Sequence, residues 1–428
     1  MEKERSALLI TYYWPPAGGA GVHRWLRMSR YFKENKVNLH VYCPQDAAWP
    51  IIDLALNEEV SPDLTIVRRK IFEPHRYLGS KNNPNKGAGI TQNKKAGIVQ
   101  RFIIWVRGNL FIPDARVCWI RPSARFLKNY LKEHPEIDTI ISTGPPHSMH
   151  LIARRLKHKF PTLNWVADFR DPWTEIDFYQ ELLPGKWADF RHKRLEKSVL
   201  SEANTIVTVS AACAEGLSSI VGRKVEVVTN GFIFPDFDEK QVELDKKFTI
   251  AHFGSMPYSR NPDALWIALE NLLFRLPALR EHLEIKLVGS VDFKIHEILE
   301  EKGLATYVNS ISSVSHAESL QLQRQTQLLL LIANNSGNTK GILTGKFFEY
   351  LGAKRPILAI GEKESDLAQA MHNTQAGLFA DFREAEEIGA YLEACYTKFL
   401  QGDNYHKAIN LDPYSTKELT KQFIGLLK

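Results

Sequence analysis

The chain alternates between short apolar runs and longer stretches in which apolar residues recur every three or four positions. In the first part the short runs fall at 7–14, 39–43, 139–142, 164–168, 205–210 and 225–229, with helical spacing at 22–34, 148–159 and 187–201 between them. Runs of this length are strand-like. A polar, proline-containing stretch at 234–240 reads as a linker, and then the pattern restarts. Strands are expected at 248–254, 284–288, 328–333 and 356–360. Helices are expected at 263–276, 317–327, 346–353 and 384–399, with one more at 415–428. Strand–helix alternation with crossovers this short predicts parallel, right-handed βαβ units in each half. The expected organisation is an N-terminal α/β domain over 1–235, a C-terminal one over 246–402, and a segment at 403–428 whose helix packs back on the first. Ligands of such sheets sit beyond the carboxyl ends of the strands, at helix N-termini.

At 428 residues there is length for two or three domains. Hydrophobic residues at 44% and charged residues at 24% exclude a disordered or fibrous chain. Cys43, Cys118, Cys213 and Cys395 are too dispersed for a zinc knuckle or a CxxC pair, which fits a reducing compartment. The apolar stretch near the N-terminus is too short for a signal sequence. The runs at 102–106 and 328–333 are far too short to span a bilayer. The net charge of +6 conceals a local one. Residues 81–130 hold ten basic side chains (Lys81, Lys86, Lys94, Lys95, Arg101, Arg107, Arg116, Arg121, Arg125, Lys128) against the single acid Asp114. Ile98, Phe102, Ile103, Trp105, Val106 and Leu110 interleave with Arg101 and Arg107, which resembles an amphipathic basic helix. Two readings stand: residues 94–128 meet an anionic membrane surface, or the helix docks on its own domain with a solvated basic edge. No nucleic-acid-reading motif accompanies the charge, so nucleic acid is not an expected partner.

Glycine-rich loops invite motif matching, and the mismatches are informative. A dinucleotide fingerprint beginning at Gly19 requires a small residue at Arg24. A Walker A loop ending at Gly345-Lys346 requires glycine at Lys340 and a hydroxyl at Phe347. Asp236-Phe237-Asp238 has the DxD form of a metal–nucleotide signature, but it lies in the expected linker and reads as solvated polar chain. What remains is a set of loops at strand ends. Gly18, Gly19 and Gly21 allow close backbone approach at a helix start. Gly254 and Ser255 open a loop that reaches Arg260, whose guanidinium suits phosphate. Thr344, Gly345 and Lys346 begin a helix that carries Glu349 one turn in. Amides and a lysine suit a diphosphate, and a carboxylate suits vicinal ribose hydroxyls. A plain helix start with a solvated lysine is the alternative.

These residues resemble those of retaining glycosyltransferases of the family 4 kind, in particular bacterial members of surface polysaccharide or lipopolysaccharide assembly. The matching stretches are 13–21, Pro113-Asp114 with Trp119, 142–148, 166–173, Asn230-Gly231, 253–255 and 344–353, of which Asp168-Phe-Arg170-Asp171-Pro-Trp173 is the most specific. The resemblance implies a GT-B fold, two facing Rossmann-like domains with parallel sheets and an interdomain cleft. It implies that Gly18–Gly21 borders donor phosphates and acceptor, that Arg260 is the second of a basic pair on the diphosphate, and that Glu349 is the ribose ligand. Ser255 stands where the pair's first arginine is usual, and Gly341 where the first of two glutamates is usual.

The implied activity is transfer of a sugar from a nucleotide-diphosphate sugar to a hydroxyl of a glycan or lipid-linked acceptor. Retention of configuration, no metal and no cofactor are expected, as is a cytoplasmic location, at most peripheral on the inner face of the plasma membrane. His147, Asp168, Arg170 and Asp171 are the candidate catalytic residues, placed to orient hydroxyls or assist proton movement. A structural Asp–Arg pair is the alternative for Asp168 and Arg170. Two further functions stay open, a nucleotide-sugar 2-epimerase and a non-catalytic nucleotide-sugar or glycan-binding subunit.

Overall fold

The computed structural model describes residues 5–73, 98–176, 179–234, 242–312, 314–334, 341, 343–403 and 408–427. Most of the expected linker, including Asp236-Phe237-Asp238, lies outside these residues. So do Lys340 and four of the basic residues, Lys81, Lys86, Lys94 and Lys95. The chain forms two compact units, one comprising 1–230 with 416–428, the other 231–415.

The first unit runs β1 (Arg5–Ile10), α1 (Ala20–Ser29), β2 (Val37–Pro44), β3 (Thr65–Arg69), α2 (Ile98–Leu110), α3 (Val117–Glu133), β4 (Ile137–Gly144), α4 (Ser148–Lys159), β5 (Asn164–Phe169), α5 (Lys186–Glu202), β6 (Thr205–Thr208), α6 (Ala211–Val221) and β7 (Glu226–Val227). Its seven strands lie in the order β3-β2-β1-β4-β5-β6-β7, every pair parallel. The strand order reverses between β1 and β4, which is where such sheets bind ligands. Helix boundaries follow local chemistry: Ser210 accepts a hydrogen bond from the Cys213 amide to start α6, and Gly222, at φ +66°, ends it.

The second unit runs β8 (Phe248–Phe253), α7 (Asp263–Arg275), α8 (Leu279–His282), β9 (Leu283–Val288), α9 (Phe293–Glu301), β10 (Val308–Ile311), α10 (His316–Gln325), β11 (Leu328–Ile332), α11 (Gly345–Ala353), β12 (Ile357–Ile360), α12 (Asp366–Thr374), β13 (Gly377–Ala380) and α13 (Ala385–Leu400). The order is β10-β9-β8-β11-β12-β13, again parallel throughout, with the reversal between β8 and β11.

Both sheets are covered on both faces, so their central strands are buried without alternation. Successive residues feed opposite layers: Leu8 and Ile10 pack with Trp119 and Trp165, whereas Ala7 and Leu9 pack with Trp25 and Val41. In the second unit Ile250 and Leu330 enter one layer, Ala251 and Leu329 the other. The last helix, α14 (Thr416–Gly425), contributes Leu419 and Phe423 to the first unit's core, the Phe423 ring meeting Trp25 edge-on at 5.0 Å. Arg5 donates to the Leu427 carbonyl beyond it. No helix among the described residues is long and apolar enough to cross a membrane.

Candidate functional site

In the second unit the candidate residues converge at the carboxyl end of β8. The chain leaves the strand through Gly254 at φ +107°. A Cβ there would lie 2.6 Å from Cε and 2.8 Å from Nζ of Lys346, so only glycine lets the lysine rest on this backbone. Arg260, in a 3-10 turn, donates from Nη1 to the Ser255 carbonyl at 3.2 Å and from Nε to Asn334 Oδ1, just past β11. The guanidinium thereby bridges the two strands at which the sheet order reverses.

Lys346 is the second residue of α11. Thr344 caps that helix without a side-chain capping bond, its hydroxyl is buried with no hydrogen-bond partner among the described residues, and the first turn holds no acid. Its amides and dipole are therefore available to an anion. Burial lowers the Lys346 pKa and Arg260 adds to this, while Glu349 partly restores it. Burial lowers Arg260 likewise. Two partly desolvated cations are thus held at one helix start, an arrangement that an anion relieves. Glu349 stands one turn along α11, with Oε1 3.2 Å from Nε2 of His316 at the start of α10. Ser255 is exposed, and Gly341 lies outside any helix or strand. Beneath the cluster His252 is fully buried, and burial reinforced by Lys346 and Arg260 pushes its pKa down to about 4.

In the first unit the candidate residues gather at the carboxyl ends of β1, β4 and β5, in roles set by their partners. Asp168 is completely buried, and its carboxylate accepts from Trp25 Nε1 at 2.8 Å, Thr143 Oγ1 at 2.8 Å and Arg24 Nη2 at 3.1 Å. Arg24 also donates to the Thr229 carbonyl at 2.8 Å. The ion pair of Asp168 is with Arg24, not with its neighbour Arg170, and it ties α1 to β5 and to the chain beyond β7. Arg170 directs its guanidinium to the Gly21, Pro145 and Gly144 carbonyls, stitching the start of α1 to the turn after β4. Both side chains are held in place by these partners. Asp171 is exposed at the end of β5.

The Gly18 amide is engaged by the Ile51 carbonyl at 2.9 Å, and a Cβ there would lie 2.8 Å from Ile51. Gly18 therefore serves a close packing contact rather than offering a donor. Gly19 takes φ +86°, and a Cβ at Gly21 would press on Tyr13 at 3.0 Å. His147 stacks face to face on Trp173, centroids 4.7 Å apart, and its buried Nδ1 has no hydrogen-bond partner among the described residues. Burial, then His150, Arg170 and His192, hold His147 well below the usual imidazole range. The ring is neutral near pH 7. Sequence reasoning missed His316, Asn334 and Arg24; only Arg24 carried a signal, as the residue spoiling the dinucleotide pattern.

Five buried histidines share the same direction. Burial lowers His40, His147 and His192, takes His150 to about 3 and His252 to about 4. A folded-state pKa below the unfolded value of about 6.5 means that protons bind the unfolded chain first. Stability is therefore expected to be complete above about pH 6.5 and to fall between there and about pH 4, by up to about 1.4 kcal/mol per pH unit per histidine. Glu196 and Glu387, raised by burial, act in the opposite sense, but they are two groups against five. Urea midpoints at pH 7.5 and 5 check this, and equal midpoints contradict it.

No family model matches the sequence. No curated protein matches it. Solved structures do match. WaaG, a glycosyltransferase involved in lipopolysaccharide biosynthesis, is similar at 14% identity and TM-score 0.54, over 99% of each chain. TarM is similar at 11% identity and TM-score 0.60, over 100% of this chain and 99% of its own. A putative UDP-N-acetylglucosamine 2-epimerase from Listeria monocytogenes is similar at 10% identity and TM-score 0.55, over 100% of this chain and 96% of its own. The likeness extends over the whole chain, and the two parallel-sheet units are Rossmann-like domains of the GT-B fold.

Proposed function

We propose that the protein is a glycosyltransferase that moves a sugar from a nucleotide-diphosphate sugar to a hydroxyl of a glycan or lipid-linked acceptor, with retention and without a metal. The observation that carries this reading is the set of Arg260, Lys346 and Glu349 around the carboxyl end of β8. Cleaving a sugar–phosphate bond develops negative charge on the departing diphosphate. Arg260, Lys346 and the first-turn amides of α11 stabilise it, and they are already oriented. Glu349, held by His316, takes the ribose hydroxyls. The leaving phosphate accepts the acceptor proton, so no covalent nucleophile is needed. Asp168 and Arg170 shape the acceptor side through α1 and the 144–146 turn. The likeness to WaaG and TarM supports the reading at the level of fold, and a TarM structure solved with UDP shows such a nucleotide on a similar scaffold. The similar 2-epimerase keeps isomerisation as a second reading with the same nucleotide site.

Incubation with isotope-labelled UDP- and GDP-sugars and a lipid-linked acceptor, in the presence of EDTA, separates these. Transfer with the anomeric configuration preserved is the expected outcome. Interconversion of the donor alone favours the epimerase, binding without turnover favours an inert module, and activity that needs added magnesium contradicts metal independence. Residues 94–128 are proposed to meet an anionic membrane from the cytoplasmic side, because α2 exposes Phe102 and Trp105, stacked at 6.2 Å, beside Arg101. Flotation with phosphatidylglycerol vesicles is expected to be lost in Phe102→Ser/Trp105→Ser, and unchanged flotation contradicts it.

A further inference from the structure

We propose that the first two turns of α5, locked against α2, are a second element of contact with an anionic bilayer, so that the membrane face is built from both helices. This rests on the membrane reading of α2 given above and extends it to residues outside 94–128. Every feature it uses lies within the first unit.

Asn109, buried near the end of α2, joins the two helices. Its Nδ2 donates to the Trp105 carbonyl at 2.8 Å, one turn back, and to the Leu183 carbonyl at 3.0 Å. Its Oδ1 accepts from the Gly185 amide at 2.7 Å. Gly185 stands immediately before α5, so one buried amide side chain ties the turn that carries Trp105 to the start of the helix that carries Trp187. Gly108 permits the approach, because a Cβ there would collide with the Leu182 carbonyl. The two segments are thus held as one surface.

Seven of the eighteen exposed large apolar side chains among the described residues fall at 102–110 and 183–190. Trp187 and Phe190 are each 61% exposed, on a helix whose core side is Ala188, His192, Glu196 and Val199. With Arg191 and Arg194 they recur at spacings of three and four, an outward stripe that is aromatic at the helix start and basic after it. Arg191 holds its guanidinium over the Trp187 ring at 5.0 Å. Segments 98–110 and 181–194 contain six basic residues against Glu181 and Asp189, and Asp189 is paired with Lys193 at 2.9 Å. Exposed aromatic rings gathered in one place mark an interaction surface. Rings bordered by arginines suit the interface of a bilayer whose headgroups are negative, whereas an uncharged protein partner would match the rings but not the charge. The same helix holds the chain after β5: His192 Nδ1 accepts from Trp173 Nε1 at 3.0 Å, and Glu196 accepts from the Thr174 hydroxyl at 2.6 Å. His192 is about 8 Å along the helix from Trp187, so contact at the α5 start brings the 173–174 chain near the headgroups.

Flotation of the full chain with phosphatidylcholine vesicles, with and without phosphatidylglycerol, tests this. Trp187→Ser/Phe190→Ser is expected to lower partition into the phosphatidylglycerol vesicles roughly tenfold or more, and Trp187→Phe to lower it less. Arg194→Gln is expected to lower it roughly fivefold, with no effect on vesicles of phosphatidylcholine alone. These side chains are exposed, so their substitution leaves the fold intact, which the melting temperature verifies. Loss of flotation in Phe102→Ser/Trp105→Ser but not in Trp187→Ser/Phe190→Ser overturns this proposal and leaves the α2 reading standing. Loss in the α5 pair alone supports the α5 contact and removes α2 from it, and a wild-type chain that does not float overturns both. Equal binding with and without phosphatidylglycerol overturns the anionic requirement. Sedimentation over a range of protein concentrations checks the other occupant: self-association abolished by Trp187→Ser/Phe190→Ser, with flotation unchanged, would assign the face to a second copy of this chain and overturn the proposal.

Discussion

Replacing Arg260 or Lys346 by alanine is expected to weaken nucleoside diphosphate binding by about 1.5–3 kcal/mol each, roughly 10- to 150-fold. Both side chains are partly desolvated at the start of α11, and a charge-assisted contact formed there is screened less than one at an open surface. Because the two cations sense each other, the double variant is expected to depart from the sum of the singles. Gly254→Ala makes the same point without touching a charge. Its methyl would lie 2.6 Å from Lys346 Cε, on a backbone at φ +107°, so the lysine must move and affinity is expected to fall with it. Calorimetry of the four variants with UDP and GDP, with melting temperature as the control for folding, gives the result. Wild-type affinity in all four would remove the phosphate role from this cluster.

Asp168→Ala is expected to cost about 3–5 kcal/mol of stability, the usual result of breaking a buried ion pair by removing one partner. Arg24 would keep a buried charge with side exposure of only 3%, and Trp25 and Thr143 would lose their acceptor. Against a total stability of about 5–15 kcal/mol, that brings the first unit near its unfolding threshold. Arg24→Met, which removes the charge while keeping most of the volume, is expected to fall in the same range because Asp168 is then the unpaired ion. A catalytic carboxylate behaves differently: its loss stops turnover and leaves the urea midpoint where it was. An inactive Asp168→Ala with wild-type stability would therefore place Asp168 in the chemistry.

The legible part of the fold was its buried centre. The run 328–332 is apolar without interruption, and 248–253 is broken only by Thr249 and His252, because helices cover both faces of each sheet. The edges were harder to see. Val308–Ile311 carries exposed Asn309 and Ser310, and Gly377–Ala380 has four residues and begins with a glycine at φ +147°, so neither offers a periodic signal. Helix α3 holds Pro122 within it, which reads as a breaker in sequence.

The candidate site divided in the same way. Gly254, Arg260, Lys346 and Glu349 were marked by glycines and charges at strand and helix ends, and they come together. His316, which meets Glu349 from another helix, left no trace because the contact spans 33 positions. Adjacency in sequence suggested Arg170 as the partner of Asp168, yet those neighbours diverge at the end of β5, and the pair forms with Arg24 across 144 positions. Side-chain pairing of that kind is decided by topology, and a single sequence does not carry it.

A crystal structure with a bound nucleoside diphosphate tests the central claim most directly. The account predicts the diphosphate within hydrogen-bond reach of the Arg260 guanidinium, Lys346 Nζ and the first amides of α11, with the ribose hydroxyls on Glu349. A nucleotide seated elsewhere in the protein, with those three side chains unchanged and out of its reach, would contradict it.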